Sequence, residues 1–218
     1  MRHNSDIIDL SSPPRRAPKE RATQVRPAFA FDTVETAIAA SRENEGDLII
    51  PAAGCSTEQM AWMINTLGDR LEALSIPMMV PQNEERHRTA YTVTVDYKHG
   101  TSTGISAHDR ALTARALAAP TGVHAQDFSR PGHMVPLRAR PGGVLTRRGH
   151  TEAAVDLCAL AGQPRAGLLC ELVNDDEIGS MMRRDACRAF ADQFGLPMIS
   201  VAMLAEYRER SEGAKAQL

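Results

Sequence analysis

Aromatic side chains are scarce in this chain of 218 residues: one Trp, three Tyr and five Phe. A surface that stacks nucleobases needs more of them. An excess of basic charge is also missing, since 25 Lys and Arg stand against 27 Asp and Glu, for a net charge of −2. That balance excludes the electrostatic footprint of a nucleic-acid binder. Long apolar runs are absent, and stretches such as 48–53 and 167–170 fall far short of the about 20 residues that span a bilayer. The four cysteines, Cys55, Cys158, Cys170 and Cys187, form no C-x-x-C pair, which argues against a structural zinc site and fits a reduced, cytoplasmic setting. The N-terminus lacks the apolar stretch of a secretory signal. Glycine and proline, 15 and 13, are too few for a low-complexity chain. What remains is a chain whose 43% hydrophobic content can fill one core and which acts on something small, with no nucleic-acid or membrane partner.

Two regions differ in texture. Residues 1–30 carry Ser11-Ser12-Pro13-Pro14-Arg15-Arg16 and a further basic run with no periodicity, which predicts a disordered tail. A targeting or RNA-contacting arm is the alternative for such a basic stretch. Residues 31–212 alternate helical and strand signals and are expected to form a single α/β (α+β) domain, a mixed sheet flanked by helices. Helices are predicted over 34–40, 57–67, 107–118, 151–162, 183–194 and 202–210. Ser106 is placed to cap the third and Gly195 to stop the fifth. Strands are predicted at 48–50, 91–96, 167–173 and 197–201, and the period-two, β-branched run Tyr91–Asp96 is the clearest of them.

Three clusters hold groups capable of chemistry. Arg42-Glu43-Asn44-Glu45-Gly46-Asp47 places three carboxylates and a guanidinium directly before an apolar strand. Hard cations take carboxylate oxygens, and an Arg beside them can grip a phosphate, although a charged loop can equally be a solvated surface. Thr146-Arg147-Arg148-Gly149-His150-Thr151-Glu152 lies at a predicted helix N-terminus. Free N–H groups and the positive dipole end favour an anion there, and His150 adds an imidazole; the alternative is an ordinary helix with Thr151 as its N-cap. The third cluster is dispersed. His133 follows a Pro131-Gly132 turn, and Glu171 sits in the apolar strand run, where a buried carboxylate is costly unless it is paired or protonated. A satisfied turn histidine and an edge-facing glutamate are the plainer readings of these two. The hydroxyl-rich turn 101–106 is a second possible anion-facing loop, whereas His87, His99, His108 and His124 show no metal-ligand spacing.

Together these strings resemble the 3,4-dihydroxy-2-butanone 4-phosphate synthase family of riboflavin biosynthesis. The resemblance rests on RENEGDLI at Arg42–Ile49, TAYTVTVD at Thr89–Asp96, TSTGISAHDR at Thr101–Arg110, the long run from Arg130 to Leu157 and AGLLCELVNDD at Ala166–Asp176, in that order. It implies conversion of D-ribulose 5-phosphate to 3,4-dihydroxy-2-butanone 4-phosphate plus formate, a lyase reaction that needs Mg²⁺ or Mn²⁺. It also implies a homodimer with shared active sites. By position, the metal ligands implied are Glu43 and His150. Arg42, Glu43, Asp47, Arg147, Arg148, Gly149, His150, Thr151 and Glu171 are implied to contact substrate, and His133 and Glu171 to be essential to catalysis.

Two strands of the family pattern are missing from the string. One precedes the acidic loop, where the predicted 34–40 helix runs directly into Ser41. The other follows the 57–66 helix and lines the family's active site. The expectation is that the two are neighbours at one edge of the family sheet, so that their loss leaves a smaller closed sheet. Two further readings follow from these losses: a paralogue acting on a related sugar phosphate, or a catalytically silent binding homologue. Retention of Glu43, His133, His150 and Glu171 speaks against the silent form, because polar groups near a core are costly to keep without use.

Overall fold

A computed structural model describes residues 37–40, 45–60, 64–67 and 70–215 of the chain. Arg42, Glu43 and the predicted tail of residues 1–30 lie outside the described residues.

Among the described residues, eight strands and six α-helices follow one another as β1 (Ala37–Ala40), β2 (Gly46–Pro51), α1 (Thr57–Met60), β3 (Ile64–Leu67), α2 (Arg70–Ala73), β4 (Val95–Tyr97), α3 (Ala107–Ala118), β5 (Phe128–Met134), β6 (Leu137–Arg138), α4 (His150–Leu160), β7 (Ala166–Glu171), α5 (Arg184–Phe194), β8 (Met198–Ser200) and α6 (Val201–Lys215). A mixed six-stranded sheet has the order β6-β3-β7-β2-β1-β8, and β4 and β5 form a separate antiparallel pair. The expected mixed sheet flanked by helices is therefore what the chain builds.

The centre of the large sheet explains why its strands read as continuous apolar runs. Successive strand residues face opposite sides, and here both sides are covered. From β2 and β7, Leu48, Ile50 and Leu168 pack with Ala111, Ala114 and Leu117 of α3. Their neighbours Ile49 and Leu169 enter a second core with Ala153 and Ala154 of α4 and Val201, Leu204 and Ala205 of α6. The strand β2 is antiparallel to β7, with Ile49 opposite Leu169 and Asp47 opposite Glu171. By the same alternation, Asp47 and Glu171 share the α4 side of the sheet with Ile49 and Leu169.

Several expected elements form as read. Ser106 caps α3 by accepting a hydrogen bond from the Asp109 backbone N–H, and Gly195 ends α5 in the left-handed conformation. Two helices do not extend as expected. Over 34–40 the described part is strand β1, and within 57–67 the helix stops at Met60, with β3 formed by Ile64–Leu67. Each short segment lies in a sheet slot with partners on both sides: β2 and β8 for β1, β7 and β6 for β3. Two rows of backbone partners outweigh the modest helix propensity of a short run.

The same pairing corrects the expectation of two lost strands that neighbour each other. Four-residue strands β1 and β3 lie in separate parts of the sheet, each flanked by other strands, with β7 and β2 between them. The 91–96 strand is also shorter than read, since only Val95–Tyr97 form β4. Tyr91 and Thr92 make isolated bridges instead. Among the described residues, no helix is long and apolar enough to cross a membrane.

Candidate active site

The apolar strand β2 ends toward its N-terminus in Asp47, whose side of the sheet faces the start of α4. The first residue of that helix is His150, one position earlier than the sequence indicates, and Gly149 is the N-cap with no side-chain cap hydrogen bond. Thr151, the capping candidate of the plainer reading, instead lies inside the first turn with its side chain buried. The N-terminal N–H groups of α4 therefore lack a side-chain acceptor at the cap position, as an anion-binding helix end requires.

Glu45, Asp47 and His150 offer ligand atoms that all lie within 4.8 Å of one another. His150 Nδ1 is 3.5 Å from Asp47 Oδ2. Among the described residues, two buried atoms of this group, Asp47 Oδ1 and His150 Nε2, have no hydrogen-bond partner. Unpartnered buried polar atoms are costly, and two of them in one three-residue group call for a ligand. Burial, with Glu171 and Glu45 adding repulsion, pushes the Asp47 carboxyl up to about 8. Burial also holds the His150 imidazole below its usual range, opposed by Glu45 and assisted by Arg147. A neutral imidazole and crowded carboxylates are a donor set for a hard divalent cation, whose charge would offset the repulsion. The residues present thus fit the magnesium that the resemblance implies.

The expected ligand pair was Glu43 and His150. Glu43 lies outside the described residues, and the described group adds Glu45 and Asp47 to the histidine. Glu45 was visible in the acidic string, but Glu43, Glu45 and Asp47 are spaced by two residues, so alternation does not choose among them and only the folded chain shows Glu45 and Asp47 meeting His150. Glu171 is the cross-strand partner of Asp47, yet it is exposed at the end of β7 rather than buried. Its place at a polar strand end spares it the desolvation that a mid-strand position would impose.

The two arginines of the second cluster diverge. Arg147 donates to buried Glu152 at 2.6 Å and also reaches the His87 carbonyl at 3.2 Å. Glu152 in turn accepts from the Arg140 backbone N–H at 2.9 Å. Arg147 is therefore tied into the fold, whereas Arg148 is exposed and lies 3.8 Å from Glu209. The hydroxyl-rich turn at 101–106 is filled from within. Asp109 Oδ2 accepts from the N–H groups of Ser102 and Gly104 and from the Ser102 hydroxyl, so these donors are already used.

His133 lies on the separate β4–β5 pair, directly after Pro131 and Gly132. The register there jumps, with Val95 opposite Met134 and the next residue, Asp96, opposite Ser129, so Arg130–His133 bulge from the ladder. This bulge returns His133 onto Asp96, with Nδ1 2.7 Å from Asp96 Oδ2. Sequence reading did not single out Asp96; its only signal was an acidic residue at the end of an alternating strand. His133 lies on the β4–β5 pair, whereas Asp47 lies on the six-stranded sheet, Glu45 precedes β2 and His150 opens α4. The four cysteines are free, and burial pushes the Cys55 and Cys158 thiols up to about 12 and Cys170 to about 11, far from an activated nucleophile.

Comparison with known proteins adds to this geometry. A family model described as 3,4-dihydroxy-2-butanone 4-phosphate synthase matches residues 37–207. The protein of that name from Schizosaccharomyces pombe is 54% identical over 176 residues, covering 77% of this chain and 86% of the relative. Its namesake from Saccharomyces cerevisiae is 50% identical over 186 residues, covering 78% and 89%. A crystal structure of a 3,4-dihydroxy-2-butanone 4-phosphate synthase in complex with two magnesium ions superposes with a TM-score of 0.78 at 44% identity, covering 83% of this chain and 93% of that one.

Proposed function

Because the chain belongs to the 3,4-dihydroxy-2-butanone 4-phosphate synthase family, we propose that it is a lyase converting D-ribulose 5-phosphate to 3,4-dihydroxy-2-butanone 4-phosphate and formate. The observation that carries the reading is the meeting of Glu45, Asp47 and His150 at the open N-terminus of α4. Glu45, Asp47 and His150 would hold a divalent ion, magnesium or alternatively manganese, which would supply Lewis acidity toward the ketose carbonyl. Glu43 is the further ligand that the family pattern supplies.

The other roles belong to the chain. The phosphate is a binding handle that holds the reacting carbons in place. The first-turn N–H groups of α4 with the Thr151 hydroxyl hold it, Gly149 lets the backbone approach, and exposed Arg148 adds charge. Arg147 fixes the loop through Glu152 rather than reaching out. Arg42 contacts the sugar. Glu171, exposed beside Asp47, and His133 move protons during enolisation, dehydration and rearrangement. The atoms balance: the water lost in dehydration returns when the excised carbon leaves as formate.

The family resemblance implies a homodimer with shared sites, in which His133 on the β4–β5 pair serves the site of the partner. A cytoplasmic setting accords with free thiols. The test is formate release. Purified protein incubated with ribulose 5-phosphate and magnesium should show the formate resonance by NMR, and His150→Ala and Glu171→Ala should abolish it. Silence with ribulose 5-phosphate but turnover of another sugar phosphate would shift the reading to a paralogue.

A further inference from the structure

We propose that Arg208 of α6 is a positioning residue for the phosphate end of the site: through Asp156 and the Gly142 carbonyl it sets the turn from which Arg147, Arg148 and Gly149 run into α4. The inference rests on the phosphate-holding role given above to the start of that helix.

One buried carboxylate joins α4 to the loop before it. Asp156 lies about two turns into the helix, on the same side as Gly149 and Ala153. Its Oδ2 accepts the Val144 N–H at 2.8 Å. The loop comes so close that its neighbouring position has no room for a side chain: a Cβ on Gly143, whose φ is +61°, would fall 2.2 Å from Asp156 Oδ1. From Gly143 a run of backbone hydrogen bonds carries that placement forward. Its carbonyl accepts the N–H groups of Thr146 at 2.9 Å and Arg147 at 3.0 Å, and the Arg147 carbonyl accepts the Gly149 N–H at 2.9 Å.

Arg208 supplies the cation that this carboxylate needs. Asp156 is only 3% exposed, and an enclosed carboxylate is costly when unpaired. Arg208 Nη1 donates to Asp156 Oδ2 at 2.8 Å and also to the Gly142 carbonyl at 2.7 Å, so one guanidinium grips both sides of the turn. Glu212, one turn along α6, accepts from Arg208 Nη2 and steadies the guanidinium. The next residue of α6, Glu209, lies 3.8 Å from Arg148, so this helix borders the loop at two successive residues. At its far end the loop is tied by Arg147 to Glu152. Arg148 and Gly149 follow between these ties and the helix, and the placement of their donors depends on both. An anion site whose donors must first be ordered binds more weakly.

Two substitutions separate positioning from general support of the fold. Arg208→Met keeps an unbranched side chain and removes both contacts. Arg208→Lys keeps a cationic nitrogen, and because both contacts leave the same arginine atom, one ammonium can make them both. For Arg208→Met we expect the KM for ribulose 5-phosphate and the dissociation constant for inorganic phosphate each to rise about 10-fold, with kcat for formate release within about 3-fold of wild type. Arg208→Lys should bring both affinities back to within about 3-fold of wild type. A clamp that only steadies the fold would lower the melting temperature and leave the affinities of the folded protein unchanged. Wild-type affinities in Arg208→Met, or an Arg208→Lys protein as weak as Arg208→Met, overturn the proposal. If Arg208→Met does not fold, Asp156→Asn decides instead, since it keeps an oxygen for the Val144 N–H and removes the charge that Arg208 meets. Phosphate binding weakened by about 3-fold or more then upholds the proposal, and wild-type binding overturns it. If the wild-type protein releases no formate but binds phosphate, and Arg208→Met weakens that binding, the reading of the reaction fails and the positioning role stands. A wild-type protein that binds no phosphate overturns the proposal.

Discussion

Asp47 holds the largest electrostatic cost visible at the site. An unfolded chain releases its proton at a pH of about 4, whereas the metal-free fold retains it up to about 8. Between these values the folded state binds the extra proton, so this residue's contribution to stability falls as pH rises through that window. His150 acts in the opposite sense at lower pH, since burial disfavours its charged form. The metal-free protein should therefore melt at progressively lower temperature from about pH 6.5 to about pH 8.5. Magnesium should flatten that slope, and so should Asp47→Asn without metal; calorimetry in chelator across that range checks this, and an identical slope in the variant counts against it. A second residue-level expectation concerns Glu152, which is fully enclosed and bonded to Arg147 and the Arg140 N–H. Glu152→Ala should cost about 2–4 kcal/mol in urea unfolding, because it strands two donors at the edge of the core. At this scale the types of the candidate metal ligands were readable, since acidic groups before an apolar strand and a histidine at a helix start are chemically distinctive. Asp96 was not, because what makes it special is a partner 37 residues away.

Among the described strand pairs, β4–β5 carries a break in register. A Cβ on Gly132 would lie 2.1 Å from the Val95 carbonyl carbon and 2.3 Å from the Asp96 nitrogen, both backbone atoms that cannot swing aside. Gly132→Ala should force the strands apart, lowering stability by about 2–4 kcal/mol and raising His133 ring mobility. Denaturant midpoints with ring ¹⁵N relaxation test this, and an alanine tolerated at wild-type stability would mean that β5 has another route past β4. The bounds of α3 and α5 were legible because caps and stops are local signals: Ser106 with Asp109, and Gly195. The short strands β1 and β3 were not. Ala37–Ala40 has no strand pattern of its own, and its conformation follows from pairing with β2, the next strand along the chain, and with β8 far from it in sequence.

For the whole molecule, the expectation is a dimer with divided sites. If His133 serves the partner's metal group, mixing inactive His133→Ala and His150→Ala proteins should restore activity. With random exchange, half of the dimers are mixed and one of their two sites is intact, giving about a quarter of wild-type activity. Activity that stays at zero after verified subunit exchange would place both histidines in the same subunit's site. Composition, charge balance and the linear order of motifs were enough to identify a mixed-sheet domain with an acidic, imidazole- and arginine-bearing site, because side-chain chemistry and local capping are written residue by residue. Which carboxylate meets His150, that Arg147 turns into the fold, that Asp96 clamps His133 and that two four-residue strands fill separate sheet slots were decided only on folding. Those outcomes depend on register and on backbone groups seeking partners across the sheet, and neither quantity exists until distant segments are in contact.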